Sequence, residues 1–349
     1  MWPGKYRAAL VVLIGVAGAC SDEMPSAPTE GEGQPAAALV AGIGYKIRDL
    51  GMPAGCSFGQ AQGINENGDV IVGFACGEAI RWQGGSTPFQ LGTLPGHSFS
   101  EAFGVNNSGH IVGVSGGLTT EAFLYTPGTG MVSIHDPLLL ADSRATAINN
   151  AGVVVGWGTT GGGVTRAFRW TQSGGMQLLT GDDALAMDIN DEDHGTVVGW
   201  DFTGPTRAII WSSSGVVTTL GTLGGSFSQA RGINDYGKVV GASEIGDFFT
   251  IHGLLYTPAG GVLNDIGPMT SVNASALKIS DRGRIVGDDG STRNAITWYN
   301  GELRQLPDLG GHAEALDVSR CGTIVGFAEP ASGAAQHPVR WDKKLSDCN

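Results

Sequence analysis

The sequence predicts an all-β fold: a seven-bladed β-propeller with four antiparallel strands per blade. Three observations carry this. First, one unit recurs seven times: a first residue that is small in four copies, then Ile or Val, Asn or Ser, a Gly-containing polar turn, and Val-Gly. The Val-Gly glycines stand at 73, 113, 156, 199, 241, 287 and 326, and self-similarity at a fixed period near forty marks an array of one supersecondary unit. Second, each period holds four short runs rich in Val, Ile, Leu and aromatics, bounded by Gly, Asn, Asp and Pro. That is the grammar of strands and hairpins, with no long stripe at helical spacing. Third, six fourth runs lie inside the array and a seventh stands ahead of it, at Tyr45–Leu50.

In chain order, residues 1–19 read as a lipoprotein signal peptide. Lys5 and Arg7 form its charged start, Ala8 to Val16 its apolar core, and Ala17-Gly18-Ala19 precede Cys20. Cys directly after small residues resembles a lipobox, which implies lipidation at Cys20. Ser21 at the next position implies, by the same resemblance, the outer membrane. The apolar run is too short to span a bilayer. Residues 20–43 are rich in Pro, Ala, Gly and Glu, a lipid-anchored flexible linker with little to bury. Residues 44–349 are the propeller domain.

Within the domain the first run ends in Asn65, Asn106, Asn149, Asn190 or Asn234, whose side chains suit a hairpin turn. The second run ends in Val-Gly. The third ends in Trp or Tyr in all seven copies, as in Ala167-Phe168-Arg169-Trp170. An aromatic repeated at one place per blade reads as packing between sheets. The fourth run has no copy after Trp341, and Tyr45–Leu50 matches it, so the N-terminal strand is expected to complete the last blade. Such closure removes open sheet edges.

The phrases Ala167-Phe168-Arg169-Trp170-Thr171 and Leu220 to Asn234, with the repeated I-N-x-x-G-x-V-V-G units, resemble the bacterial extracellular repeat proteins named HAF, after a His-Ala-Phe triplet. Here Glu78, Glu121, Arg166, Arg207 and Asn294 stand at the His position. The resemblance spans about residues 45–341. It implies an exported or surface protein of undefined activity and brings no catalytic residues.

The chain carries a net charge of −13, and losing residues 1–19 removes two basic groups and no acid. Binding of a phosphate backbone needs clustered Lys and Arg, so nucleic acid is disfavoured as a partner. Four cysteines remain besides Cys20. Cys56 and Cys76 fall in connections on one face of an up-down meander, and Cys321 and Cys348 on the other. The consistent disulfides are Cys56–Cys76 and Cys321–Cys348, in an oxidising compartment.

Gly113-Val114-Ser115-Gly116-Gly117 matches a nucleophile elbow, but no helix follows it as that motif requires. The turn containing Asp188–Asp193 is dense in oxygen ligands. Calcium takes such sets, although the loop order of a calcium motif is not met and Asn/Asp turns need no ion. No cofactor is expected, and calcium near Asp188–Asp193 is the one ion considered. Trp157 and Trp200 follow Val-Gly in adjacent blades and suit either inter-blade packing or a stacking platform. His97 and His312 share one slot in blade-to-blade connections. These four are the candidate ligand-binding residues, on the face of the long, variable loops. Asp288, Asp289 and Glu329 are the acids whose convergence there is expected to mark an enzyme. The reading is a surface lipoprotein that binds an extracellular glycan or protein, with membrane association only through its lipid. The alternative is a hydrolase or lyase acting on an extracellular polysaccharide.

Overall fold

The computed structural model describes residues 44–83, 88–179, 183–192, 195–246, 250–267, 274–289 and 294–343. These residues form seven separate four-stranded antiparallel sheets arranged as the blades of a ring. Blade 3 is typical: Asp142–Ile148, Val154–Thr159, Thr165–Thr171 and Gly175–Leu178, paired in sequence order from the channel outward. Blade 7 closes the ring as expected. Its inner three strands are Ala313–Val318, Ile324–Ala328 and His337–Lys343, and its outer strand is Tyr45–Asp49. Tyr45 pairs with Lys343 and Asp49 with Val339. The first and last described strands thus share one sheet, and the outer side of the third strand of blade 7 is covered.

The Val-Gly glycine has a steric cause. In all seven blades the first strand carries a β-bulge, between Ala61 and Gly63 in blade 1 and Ala145 and Ala147 in blade 3, with equivalents in the rest. A bulge bends its strand and increases the local twist. It drives the carbonyl of the preceding residue against the second strand. A Cβ on Gly73 would lie 1.9 Å from Gln60 O, and one on Gly199 would lie 1.8 Å from Leu185 O. The same clash, at 1.9 to 2.1 Å, stands at Gly113, Gly156, Gly241, Gly287 and Gly326.

Apolar residues of the second and third strands fill the space between blades. Phe123 and Phe168 are fully buried, as are Trp211 and Trp341 at the aromatic position of the third strand. Trp82 and Trp341 also donate through Nε1 to the carbonyls of Gly51 and Pro307. The aromatic column is packing, as expected.

The turn asparagines do more than hold their own hairpins. Asn149 Oδ1 accepts from Val153 N at 2.9 Å, while its Nδ2 donates to Asn190 O of the next blade at 3.1 Å. Asn106, Asn190 and Asn234 repeat both bonds, which gives an inter-blade belt from blade 2 to blade 6. Blades 6 and 7 carry Ser280 and Ser319, whose hydroxyls keep the turn bond. A hydroxyl has no second arm to reach onward, and the amide belt ends there.

Cys56 and Cys76 are bonded, as expected. Cys321 is itself half of a disulfide. Its expected partner Cys348 lies outside the described residues, as do Cys20 and the segments 1–19 and 20–43. Among the described residues no helix is long and apolar enough to cross a membrane.

Candidate ligand site in the propeller channel

The first strands line the channel, and two layers of it carry chemistry. At the end formed by the short first-to-second turns, the residue after each Asn or Ser faces its neighbours around the mouth. In blade order these are Glu66, Asn107, Asn150, Asp191, Asp235, Asp281 and Arg320. A chain of bonds links them: Asn107 N donates to Asn150 Oδ1, Asn150 N to Asp191 Oδ1, Asp191 N to Asp235 Oδ1 and Asp235 N to Asp281 Oδ1. Glu66 reaches over the mouth and accepts from the side-chain amides of Asn107 and Asn150, both at 3.0 Å. Burial and the neighbouring acids push the Glu66 carboxyl up, burial above all. Burial does the same for Asp235.

Behind this ring is a cavity of about 130 Å³. It holds a charged triad. Lys278 Nζ lies 2.6 Å from Asp188 Oδ1, and Asp188 Oδ2 accepts from Ile233 N at 3.0 Å. Asp317 Oδ2 accepts from Ile64 N at 2.9 Å, a bond from blade 7 to blade 1. Burial pushes the Asp317 carboxyl up to about 6 against the opposing pull of Lys278. The three sit in the first column of the repeat motif, where four blades have Gly or Ala. A charge in a small-residue column was the signal for them, and sequence reasoning passed over it.

The turn singled out for calcium is thereby divided. Asp188 is engaged by Lys278 and a backbone amide. Asp191 instead brings a carboxylate oxygen within 4.8 Å of those of Glu66 and Asp235, from two other blades. Asp193 lies outside the described residues.

Toward the variable-loop end the channel wall changes character. Arg144 stacks on Trp157, with 5.0 Å from its guanidinium carbon to the ring centroid, and lies 5.9 Å from Phe103 of blade 2. Arg231 of blade 5 lies 6.0 Å from the ring of Trp200 in blade 4. Register explains the first stack: Arg144 pairs with Trp157 across the two inner strands. Arg231 occupies the bulge of its strand. It donates to Gln229 Oε1 at 2.9 Å, and among the described residues its buried Nε has no hydrogen-bond partner. Burial lowers the pKa of both guanidiniums. Glu101 of blade 2 lies near Arg144, and burial pushes its carboxyl up. The two tryptophans are therefore half-buried channel residues paired with arginines that the sequence did not single out.

The histidines are more firmly built in. His97 Nδ1 lies 3.2 Å from Ser115 Oγ, and its side chain is 12% exposed. Ser115 is fully buried, donates to Phe99 O and accepts from Leu94 N. It ties a loop to its blade, which agrees with rejecting the elbow motif. His312 packs edge-on against Phe327 and lies 3.6 Å from Glu329. Of the three marker acids, Asp289 accepts from Asn294 N and Glu329 from Gly333 N within their own loops, while Asp288 lies near Arg231.

No protein-family model and no curated protein matches the chain. The fold is similar to that of virginiamycin B lyase from Staphylococcus aureus, at 14% identity and a TM-score of 0.62 over 86% of this chain and 100% of that one. Oligogalacturonate lyase in complex with manganese is similar at 10% identity, with a TM-score of 0.61 over 87% and 94%. YCF48 bound to D1 peptide is similar at 13% identity, with a TM-score of 0.56 over 88% and 99%. One architecture thus appears under unrelated names, and at such identities the likeness is one of fold: the chain is a seven-bladed β-propeller.

Proposed function

We propose that the protein is an exported lipoprotein whose propeller binds an extracellular glycan or protein at the variable-loop mouth of its channel. The observation that carries this is the pair of guanidinium–indole stacks, Arg144 on Trp157 and Arg231 near Trp200, in adjoining blades. Aromatic and Arg side chains held in a concave site are the groups that most often anchor a ligand. Orientation agrees with an anchored protein. Tyr45 opens its strand opposite Lys343, at the end of the third strand where the short turns lie. A lipid on Cys20 would tether the domain from that side and leave the variable loops facing outward.

The test is a glycan and peptide array probed with the domain from residue 44, followed by titration of any hit. Trp157→Ala and Trp200→Ala should each weaken a hit by about 1–3 kcal/mol. A hit indifferent to both substitutions removes the channel mouth as the site. Cleavage of a bound polysaccharide would replace the binding reading with the enzymatic one.

A further inference from the structure

The guanidinium of Arg144 is held without being engaged. Trp157 and Phe103 fix its plane. Among the described residues no hydrogen bond or ion pair takes up its donors. Glu101 and Asp142 lie close enough to favour its charge, and neither hydrogen-bonds to it. The Asp142 carboxylate accepts from both the hydroxyl and the backbone amide of Thr159. A guanidinium is a planar fork of five N–H donors, and its natural partner is a planar anion that accepts two parallel bonds. In a half-buried wall such bonds are stronger than at an open surface.

We propose that Arg144 anchors a carboxylate of an acidic glycan, a uronate-bearing chain, entering from the variable-loop mouth. The inference rests on the binding reading above and names its ligand class. The glycan is favoured over a peptide by the rest of the layer. The positions equivalent to Arg144 in the other blades are Gln60, Glu101, Leu185, Gln229, Ser275 and Glu314, all partly exposed and all but Leu185 polar. The two Gln amides and the Ser hydroxyl both donate and accept and the Glu carboxylates accept, as a ligand dense in hydroxyls requires. Peptide side chains would call for apolar pockets.

The experiment is calorimetric titration of the wild-type domain, R144Q and R144K with three probes. These are a uronic-acid hexamer, its carboxyl-reduced neutral counterpart and an acidic peptide of equal charge. Melting is recorded for each variant. The uronate hexamer should bind the wild type and lose about 10- to 100-fold in R144Q, the range for a charged hydrogen-bonded pair. R144K should lose affinity in part, because it keeps the charge without the fork. The neutral counterpart should bind the wild type no better than the uronate binds R144Q. If R144Q does not fold, R144K decides, and wild-type affinity in R144K overturns the anchor. Equal uronate binding by the wild type and R144Q also overturns it, as does a wild type that takes no uronate. A neutral hexamer that binds the wild type as tightly as the uronate does removes the carboxylate and leaves the binding reading standing. Peptide binding that depends on Arg144, with no hexamer binding, overturns the glycan class. Binding of none of the probes overturns this inference, while the wider array decides the binding reading.

Discussion

Substituting Gly199 by Ala isolates the steric cause of the repeat. The new Cβ would stand 1.8 Å from Leu185 O, where real Cβ atoms keep at least 3.0 Å from such an atom. The two inner strands of blade 4 must therefore part by about 1.2 Å at the bulge. Parting them weakens roughly two ladder hydrogen bonds, at about 1 kcal/mol each. Forcing a methyl group into a packed layer costs about 1–3 kcal/mol more. The sum is about 4 kcal/mol, and at about 2 °C per kcal/mol for a domain of this size the melting temperature should fall by about 8 °C. Gly161→Ala is the control. Its Cβ would meet nothing within 4 Å and its φ is not left-handed, so stability should hold or rise by about 0.4–1 kcal/mol. Calorimetry on both variants reads the difference. Equal melting of Gly199→Ala and Gly161→Ala would refute the clash as the reason for the glycine column.

Other outcomes follow from the closure, the belt, the disulfides and the buried acid. Removing residues 44–50 strips the outer strand from blade 7 and should produce aggregation by size-exclusion chromatography; a monomer with unchanged melting would contradict closure by that strand. Asn149→Ala removes a turn bond and an inter-blade bond from a buried side chain, and urea unfolding should show a loss of about 2 kcal/mol. Reducing Cys56–Cys76 opens a loop of sequence separation 20 and should cost about 3 kcal/mol, while peptide mapping without reductant should join Cys321 to Cys348. Asp317 is held above its ordinary value of 3.8, at about 6. Between these values the native state binds more protons than the unfolded chain, so stability should fall as pH rises from about 4 to about 6. Asp317→Asn keeps an acceptor for Ile64 N and should flatten that slope; an unchanged slope would assign it to other acids.

The architecture was legible because it is local and repeated. Period, strand grammar and the spare fourth run at Tyr45–Leu50 each depend on short stretches of chain, and seven copies multiply a weak signal. The pairing of Cys56 with Cys76 was legible too, since strand order alone puts both in connections on one face. The chemistry was not. Glu66, Asp191 and Asp235 come from blades 1, 4 and 5, and Lys278 meets Asp188 from two blades away. No spacing rule relates such residues, because closing the ring is what brings them to one axis. Trp157 was visible as one of two tryptophans in a mixed column, but Arg144 acquires meaning only through cross-strand register. Sequence by itself therefore determined the blade, its number and its closure, which are properties of consecutive residues. Only the tertiary structure decided what faces the channel, because the β-bulge in each first strand resets which side chains turn inward.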